Sequence, residues 1–399
     1  MRKFSNWLTA YEDYTKHTES PNVFNRWCGL SAIAAALGRK VWFNLGRIKK
    51  CPNLFVVLVA EPGCARKTQA ISYVKDIIRE VPAIYTSSDS ITPEALLDEL
   101  EQSRMEDQLP TGKVFIHNSL TIIIGEFEAF LGHKKDNNKM IILLTDFYDC
   151  RQDAFKKRTK HSGGNFIEAV FLNLLSATTP SSIANSFPPA AIGGGLSSRI
   201  MFIWSGGRKQ KIPIPEWTSQ LELQKLNLVL DLNTISRISG GYNFSPCGRE
   251  WWINWYLNFD ERDPERLAKD PEITPWYARK PDTIIKVCQC VAAAKRNELL
   301  VYAEDFQDAL TYVEEVERDM VSAFKTVGRS DITQDISLVL DTITAKGKIL
   351  ESELLQIVWK DVDKNKLNNI IETLLTANRI KRHFAGRKIW YSTYNYKEK

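Results

Sequence analysis

A lysine and a threonine side by side, after a strand and at the start of a helix, are suited to hold phosphate. Lys67 and Thr68 close the segment Glu61-Pro62-Gly63-Cys64-Ala65-Arg66-Lys67-Thr68, and Gln69 follows. In the pattern G-x-x-x-x-G-K-[ST], glycines let backbone N–H groups cradle phosphates, the lysine reaches the β and γ oxygens, and the hydroxyl holds magnesium. Here Glu61 and Arg66 replace both framing glycines, and Gly63 remains as one permissive hinge. The context is intact. Leu54–Val59 is a continuous apolar run suited to a strand buried on both faces, and Thr68 to Glu80 has helical character. A helix N-terminus favours an anion whatever its side chains. Pro62, Gly63, Cys64, Ala65, Arg66, Lys67, Thr68 and Gln69 are therefore the expected ATP contacts, with Thr68 and Glu126 on Mg2+.

Further groups with chemical potential lie downstream. Ile122-Ile123-Ile124-Gly125-Glu126 ends a strand in a carboxylate, and Glu126 is the candidate for polarising an attacking water, with Glu128 the second choice. The run Ala169–Leu175 leads into Ser176-Ala177-Thr178-Thr179-Pro180, where Thr178 can position that water and Asn173 is expected to serve packing. Arg199 stands immediately before the strand Ile200–Trp204, where a ring ATPase places an arginine that acts on the neighbouring subunit's γ-phosphate. Phe155–Gly164 carries Lys156, Lys157, Arg158 and Lys160 next to two glycines, the make-up of a basic β-hairpin that tracks phosphates without reading sequence.

These residues need a scaffold. The 399 residues exceed one ordinary domain, and 44% hydrophobic with 25% charged content fits a globular chain. No apolar run reaches a membrane span, and the N-terminus lacks a signal-peptide core, so the expected location is the cytoplasm of a bacterial host with no membrane partner. Seven scattered cysteines give no disulfide framework and are expected as reduced core thiols. The net charge of +5 is compatible with nucleic acid.

Strands alternating with helices imply an α/β core with a parallel sheet over 51–212. Residues 1–50 precede it as a helical region, and 213–328 follow as a helical lid. That lid contains the cluster Trp251, Trp252, Trp255 and Tyr256, expected in a packed core or a subunit interface. Ala83–Thr86 is expected as a strand and Pro93–Gln102 as a helix capped by Thr92. Three helices and a hairpin over 329–399 make a winged helix, whose DNA contacts would be Lys364 and Lys366 on the third helix and Arg382, Arg387 and Lys388 in the wing.

With these residues in hand, the chain resembles AAA+ ATPases. Leu196-Ser197-Ser198-Arg199-Ile200-Met201-Phe202-Ile203 is similar to a segment of MCM helicases. Glu19–Trp42, Pro52–Ala70 and Leu172–Phe202 resemble a group of phage and mobile-element ATPases labelled helicase-like. The resemblance implies an AAA+ P-loop NTPase core, and it implies that Arg279 is a sensor arginine reaching its own subunit's γ-phosphate. It further implies a ring, expected as a hexamer, that unwinds or translocates along single-stranded or forked DNA in replication. The glycine-poor loop and Gly125, where an aspartate is usual, leave two rivals: a helicase loader that binds ATP and DNA without unwinding, and a DNA-binding protein with a degenerate nucleotide site.

Overall fold

The computed structural model describes residues 2–88, 90–132, 137–158, 164–187, 194–260, 273–324, 331–359, 362–386 and 388–394. Two compact units divide the chain at Lys325/Thr326. This boundary lies three residues before the division expected at 328/329. The three segments expected before it, 1–50, 51–212 and 213–328, share the first unit, because shared helices and sheets join them.

The central sheet follows from apolar strand runs. β1 (Val41–Leu45) and β2 (Ile48–Lys50) precede β3 (Phe55–Val59), in which every residue is buried. β4 (Arg104–Gln108), β5 (Val114–Ile124), the hairpin β6 (Phe155–Arg158) and β7 (Gly164–Ile167), β8 (Val170–Thr178) and β9 (Ile200–Trp204) follow in turn. The order across the sheet is β4-β5-β8-β3-β9, and β5, β8, β3 and β9 all run parallel. Parallel strands lie buried on both faces, which is why β3 is wholly apolar and β8 largely so. β4 joins antiparallel to β5 and was not visible in the sequence, because Arg104-Met105-Glu106-Asp107-Gln108 is polar and half-exposed. The strand expected at Ala83–Thr86 reduces to a single bridge, Thr86 to Thr121.

Helices cover the sheet. α1 (Trp7–Tyr14) and α2 (Asn22–Leu37) pack on one another, and α2 packs on β3, β8 and α3 (Lys67–Arg79). α2 is apolar nearly all round, as a helix buried on every side must be. α4 (Pro93–Gln102) has the expected bounds and the expected Thr92 cap. α5 (Phe127–Leu131), α6 (Asn138–Tyr148) and α7 (Pro180–Ser186) flank the sheet's strand ends. The region beyond residue 213 holds α8 (Ser219–Ile235), β10 (Gly240–Phe244), α9 (Pro246–Asn258), α10 (Thr274–Tyr277), α11 (Lys280–Lys295), β11 (Leu300–Val301) and α12 (Ala303–Ala323). It is not all helical: β10 pairs in parallel with β1, tying this region to the N-terminal segment in the sheet β11-β10-β1-β2.

Polar groups lock the buried strands in place. Asn173, in the middle of β8, accepts from Leu54 N at 3.0 Å and donates to the carbonyl and hydroxyl of Ser31, each at 3.1 Å. It therefore serves packing, as expected. Asp107, His117 and Ser119 form a hydrogen-bonded chain with 2.9 Å links at the β4–β5 edge. The Ser119 oxygen already accepts from Arg39 N, and both His117 and Ser119 are buried, so this chain pins an edge strand rather than presenting a nucleophile. Cys28, Cys51, Cys150, Cys288 and Cys290 are core thiols; Cys64 and Cys247 are exposed, against expectation.

The second unit has α13 (Asp331–Lys346), β12 (Lys348–Leu350), α14 (Glu351–Val358), α15 (Lys364–Thr376), β13 (Ile380–Ala385) and β14 (Lys388–Thr393). β13 and β14 form the expected hairpin, and β12 joins β14 to give the antiparallel sheet β12-β14-β13. Its core includes Val339, Ile343, Leu354, Leu367, Ile371 and Tyr391.

Asn173→Ala removes three hydrogen bonds and leaves the Leu54 N–H buried without a partner. An unsatisfied buried group costs about 1–3 kcal/mol. The expected result is a loss of unfolding free energy of that size in urea denaturation, with the Asn173→Asp variant no better.

Candidate functional site

Register places the first group. In the β3–β8 pair Val59 stands opposite Thr178, and in the β5–β8 pair Ile124 stands opposite Ser176. Two residues beyond Ile124, Glu126 is therefore level with Thr178. The loop 61–66 leaves β3 at the same edge. Ala60 N donates to Thr178 O at 3.4 Å, stitching loop to strand end. Three strands thus bring Lys67, Thr178 and Glu126 together at the carboxyl edge of a parallel sheet, where open α/β sheets bind ligands.

The loop itself is built on a left-handed residue. Arg66 has φ 51° and ψ 40° and directly precedes α3, and Gly63 has φ 72°. Arg66 occupies the place where the phosphate-loop pattern has a glycine, and the backbone keeps the glycine conformation. For a residue with a Cβ this costs roughly 1–2 kcal/mol. Glu19 offsets that cost. Its carboxylate accepts from Arg66 Nε at 2.6 Å, Arg208 Nη1 at 3.1 Å and Ile212 N at 2.9 Å. The Ile212 N–H, then Arg66, hold the Glu19 carboxyl down at about 2. Ser20 Oγ donates to Arg66 O at 3.1 Å, and Gln69 Oε1 accepts from Glu19 N at 3.2 Å. Residues 19–20 and 208–212 thus clasp the loop from outside. The sequence singled out Arg66 and Gln69 but missed Glu19; its signal was a lone acid just before the Ser20-Pro21 helix start.

The electrostatics favour an anion. α3 has no side-chain cap and no acid in its first turn, whereas α4, α7, α8 and α9 are capped by Thr92, Thr179, Thr218 and Ser245. Lys67 Nζ donates to Ala60 O at 2.6 Å. Burial lowers the Lys67 pKa, and Glu126 and Glu61 oppose that shift, so Glu126 lies within electrostatic reach of the ammonium. Thr178 Oγ1 is buried with no hydrogen-bond partner, although buried hydroxyls are nearly always paired. Thr179, not Thr178, caps α7, which leaves the Thr178 hydroxyl uncommitted at the strand end. Thr68 is exposed on the first turn of α3, and Glu126 is exposed beyond β5. Pro62, Gly63 and Cys64 are exposed on the loop crest and Ala65 is buried beneath it. This donor set suits Mg2+, which takes few protein oxygens and completes its shell with water and phosphate.

A second group lies at the opposite sheet edge. Arg199 ends a 3-10 turn before β9, whose first residue pairs with Phe55 at the start of β3. At about 3.3 Å per residue, the length of β3 separates it from its own loop by ~16 Å. Its side chain is 9% exposed, bound to Asp149 Oδ2 at 2.8 Å and to Gly195 O at 2.6 Å. Arg279 precedes α11, next to α10, and α10 packs on the Ser197–Arg199 turn. Arg199 and Arg279 both act electrostatically on the Tyr148 hydroxyl, whose ring stacks edge-on with Phe55 at 5.0 Å. Arg279 therefore keeps company with Arg199, away from its own Lys67. The expectation that Arg279 reaches the γ-phosphate of its own subunit is at odds with this place beside Arg199, about a strand's length from Lys67.

The basic elements divide. Phe155–Arg158 and Gly164–Ile167 do form the expected hairpin, with Lys156 opposite Phe166, Lys157 opposite Asn165 and Arg158 opposite Gly164. Lys156 is exposed, 5.4 Å above the half-exposed Phe166 ring. Lys160 and Arg387 lie outside the described residues. In the second unit Lys364 and Lys388 are exposed. Lys366 is bound to Asp335 at 2.5 Å and Arg382 to Glu372 at 2.5 Å, so both cations already have carboxylate partners. The exposed Arg379, and Lys381 over the Tyr394 ring at 4.5 Å, extend the basic surface instead.

No protein-family model matches this chain, and no curated protein matches its sequence.

The Glu19 clasp gives a pH prediction. Its carboxyl titrates at about 2 in the fold against an ordinary 4.5, so its contribution is complete above about pH 4.5 and is lost as pH falls toward 2. The melting-temperature gap between the wild type and Glu19→Gln is expected to stay constant from pH 8 to 5 and to close below pH 4.5. A gap that instead grows on acidification contradicts the assignment.

Proposed function

We propose that the chain is an AAA+ P-loop ATPase that works on DNA as a ring, as a helicase or translocase of a phage or mobile element. The observation that carries this reading is the convergence of Lys67, Thr178 and Glu126 at one sheet edge, with an uncapped helix N-terminus and an unpartnered buried hydroxyl between them. Backbone N–H groups of 63–68 would receive the β- and γ-phosphates. Lys67 would leave the Ala60 carbonyl for the γ-phosphate. Thr178 would orient a water whose proton Glu126 accepts. Mg2+, held by Thr68 and within reach of Glu126, would neutralise phosphate charge.

The arginines complete the reading. A cis site with a single lysine has little positive charge for the γ-phosphate, and Arg199 and Arg279 face away from it. They are suited to the γ-phosphate of an adjacent copy, where a fixed guanidinium can be worth a thousandfold or more in rate. The second unit, with three helices and a basic hairpin on a three-stranded sheet, has the element order of a winged helix, and with the β6–β7 hairpin it would supply sequence-independent phosphate contacts. A loader that binds ATP and DNA without unwinding is the second reading; it is favoured by Gly125, which leaves no carboxylate one residue before Glu126.

Lys67→Ala is expected to abolish binding of a fluorescent ATP analogue and all ATP turnover. Retained turnover removes the site assignment. Arg199→Ala and Arg279→Ala copies, each mixed with wild type, are expected to lower turnover by more than their mole fraction; strictly proportional loss shows that they do not act across copies. Lys156→Ala is expected to weaken binding of single-stranded DNA equally for unrelated sequences and to flatten its salt dependence. Displacement of a strand from a forked duplex separates helicase from loader.

A further inference from the structure

Among the buried cysteines, two stand apart from the rest. Cys51, shortly before β3, and Cys150, shortly after α6, pack together with Phe171 and the half-buried Trp42. Two cations face them. Arg39 donates from Nη1 to Cys51 Sγ at 3.1 Å and from Nη2 to Cys150 O at 3.1 Å. Lys286 of α11 donates to Cys51 O at 3.2 Å, to Tyr148 O at 3.4 Å and to Asn53 Oδ1. Its ammonium lies 4.2 Å from the centre of the Tyr148 ring.

Charge balance sets this cluster apart. Arg39 and Lys286 are both buried, and among the described residues neither is bound to a carboxylate. Asp282, the acid that acts on Lys286 electrostatically, is bound to Lys50 at 2.7 Å. A buried cation is costly without an anion, and backbone carbonyls are neutral. The anion at hand is the Cys51 sulfur. The Cys150 thiol donates to it and, with Arg39 and Lys286, holds the Cys51 thiol below its ordinary range against the effect of burial. Burial pushes the Cys150 thiol well up, so this partner keeps its proton. Burial alone pushes up Cys28, and burial with Asp305 pushes up Cys288. Cys150 also has φ 47°, a left-handed conformation uncommon for a residue with a Cβ, and the Arg39 bond to its carbonyl supports it.

We propose that Cys51 and Cys150 are an oxidant-sensitive pair that a small hydroperoxide closes to a disulfide. A thiolate beside cations is the nucleophilic form of cysteine, and a second thiol in contact resolves the first oxidation product. Cys51 Sγ attacks one peroxide oxygen and the O–O bond breaks. The leaving hydroxide takes a proton from solvent as water, and the sulfur becomes a sulfenic acid. Cys150 Sγ then attacks that sulfur, the S–O bond breaks, and the second hydroxide leaves as water with the Cys150 proton. Two electrons pass from the sulfurs to the peroxide. The residues are 1% and 2% exposed, so the oxidant has to be close to water in size, as hydrogen peroxide is. In the disulfide the sulfur is neutral, and Arg39 and Lys286 lose their anion one residue from Asp149, the carboxylate that holds Arg199. The chemistry of the pair does not depend on ATP hydrolysis.

The test treats reduced full-length protein with hydrogen peroxide near neutral pH, blocks the remaining thiols with N-ethylmaleimide in denaturant, and maps peptides without reduction. A linked Cys51–Cys150 peptide is expected as the main intramolecular disulfide, lost on adding dithiothreitol, while Cys28 and Cys288 are recovered as thiols. Cys150→Ser is expected to stop at a Cys51 sulfenic acid, trapped by dimedone on unfolding, and Cys51→Ser to leave Cys150 a thiol. In urea, where the cations no longer face Cys51, the preference over Cys28 and Cys288 is expected to disappear. Recovery of Cys51 and Cys150 as thiols, linkage of either to another cysteine instead, equally fast oxidation of Cys28 or Cys288 in the folded protein, or a preference that persists in urea overturns the proposal. Circular dichroism checks that the variants fold; should one fail, the wild-type map decides alone.

Discussion

The pairing of β3 with β8 fixes most of what the first unit can do. Val59 opposite Thr178 is one rung of a parallel ladder whose members are buried on both faces, and such a ladder cannot slip by a residue without exposing Phe55, Val57 and their neighbours or burying a loop. β8 is in turn fastened from its middle by Asn173, which answers Leu54 N on one side and Ser31 on the other. With that register held, the ends of β3 and β8 fall level, and β5 ends opposite Ser176, two residues before Glu126. The lysine, the hydroxyl and the carboxylate need no further device to come together.

Against that rigid edge, the loop 61–66 carries a local conflict. Its left-handed residue is an arginine, and the backbone is paid for by contacts from outside the loop, from Glu19 above all. A glycine would give the same φ at no steric cost but would leave Glu19 facing only Arg208 and the Ile212 N–H. The arginine thus couples the loop to the segment before α2 and to the segment before α8. Movement of either segment changes the loop's support, a coupling that a glycine-framed loop lacks.

The same sheet that brings Lys67, Thr178 and Glu126 level keeps Arg199 at its opposite edge. β9 is parallel to β3, so a residue preceding β9 is stranded at the amino edge while the loop following β3 stands at the carboxyl edge. Arg199 sits there, and α10 brings Arg279 to it. Asp149 keeps the Arg199 guanidinium oriented in a nearly closed setting. Cations held in this way lie a strand's length from their own chain's loop 61–66.

Much of this was written in local sequence. Phe55–Val59 and Ile200–Trp204 read as strands because they are short apolar runs rich in β-branched and aromatic residues, and α4 announced its own bounds through Thr92 and Pro93. Lys67, Thr178 and Glu126 were each legible as the polar residue that ends or follows such a run. Other features depended on partners distant in the chain. β4 and β10 lack apolar runs and exist only because β5 and β1 offer them edges. Arg279 looked like a ligand for its own loop until the packing of α10 put it beside Arg199, and Lys366 and Arg382 looked like free cations until Asp335 and Glu372 stood next to them. Local periodicity is enough to choose helix or strand and to place a residue at an element's end. Which ends meet, and which charges are already satisfied, is decided by pairings between elements, some ten residues apart and others more than a hundred, that local periodicity does not encode.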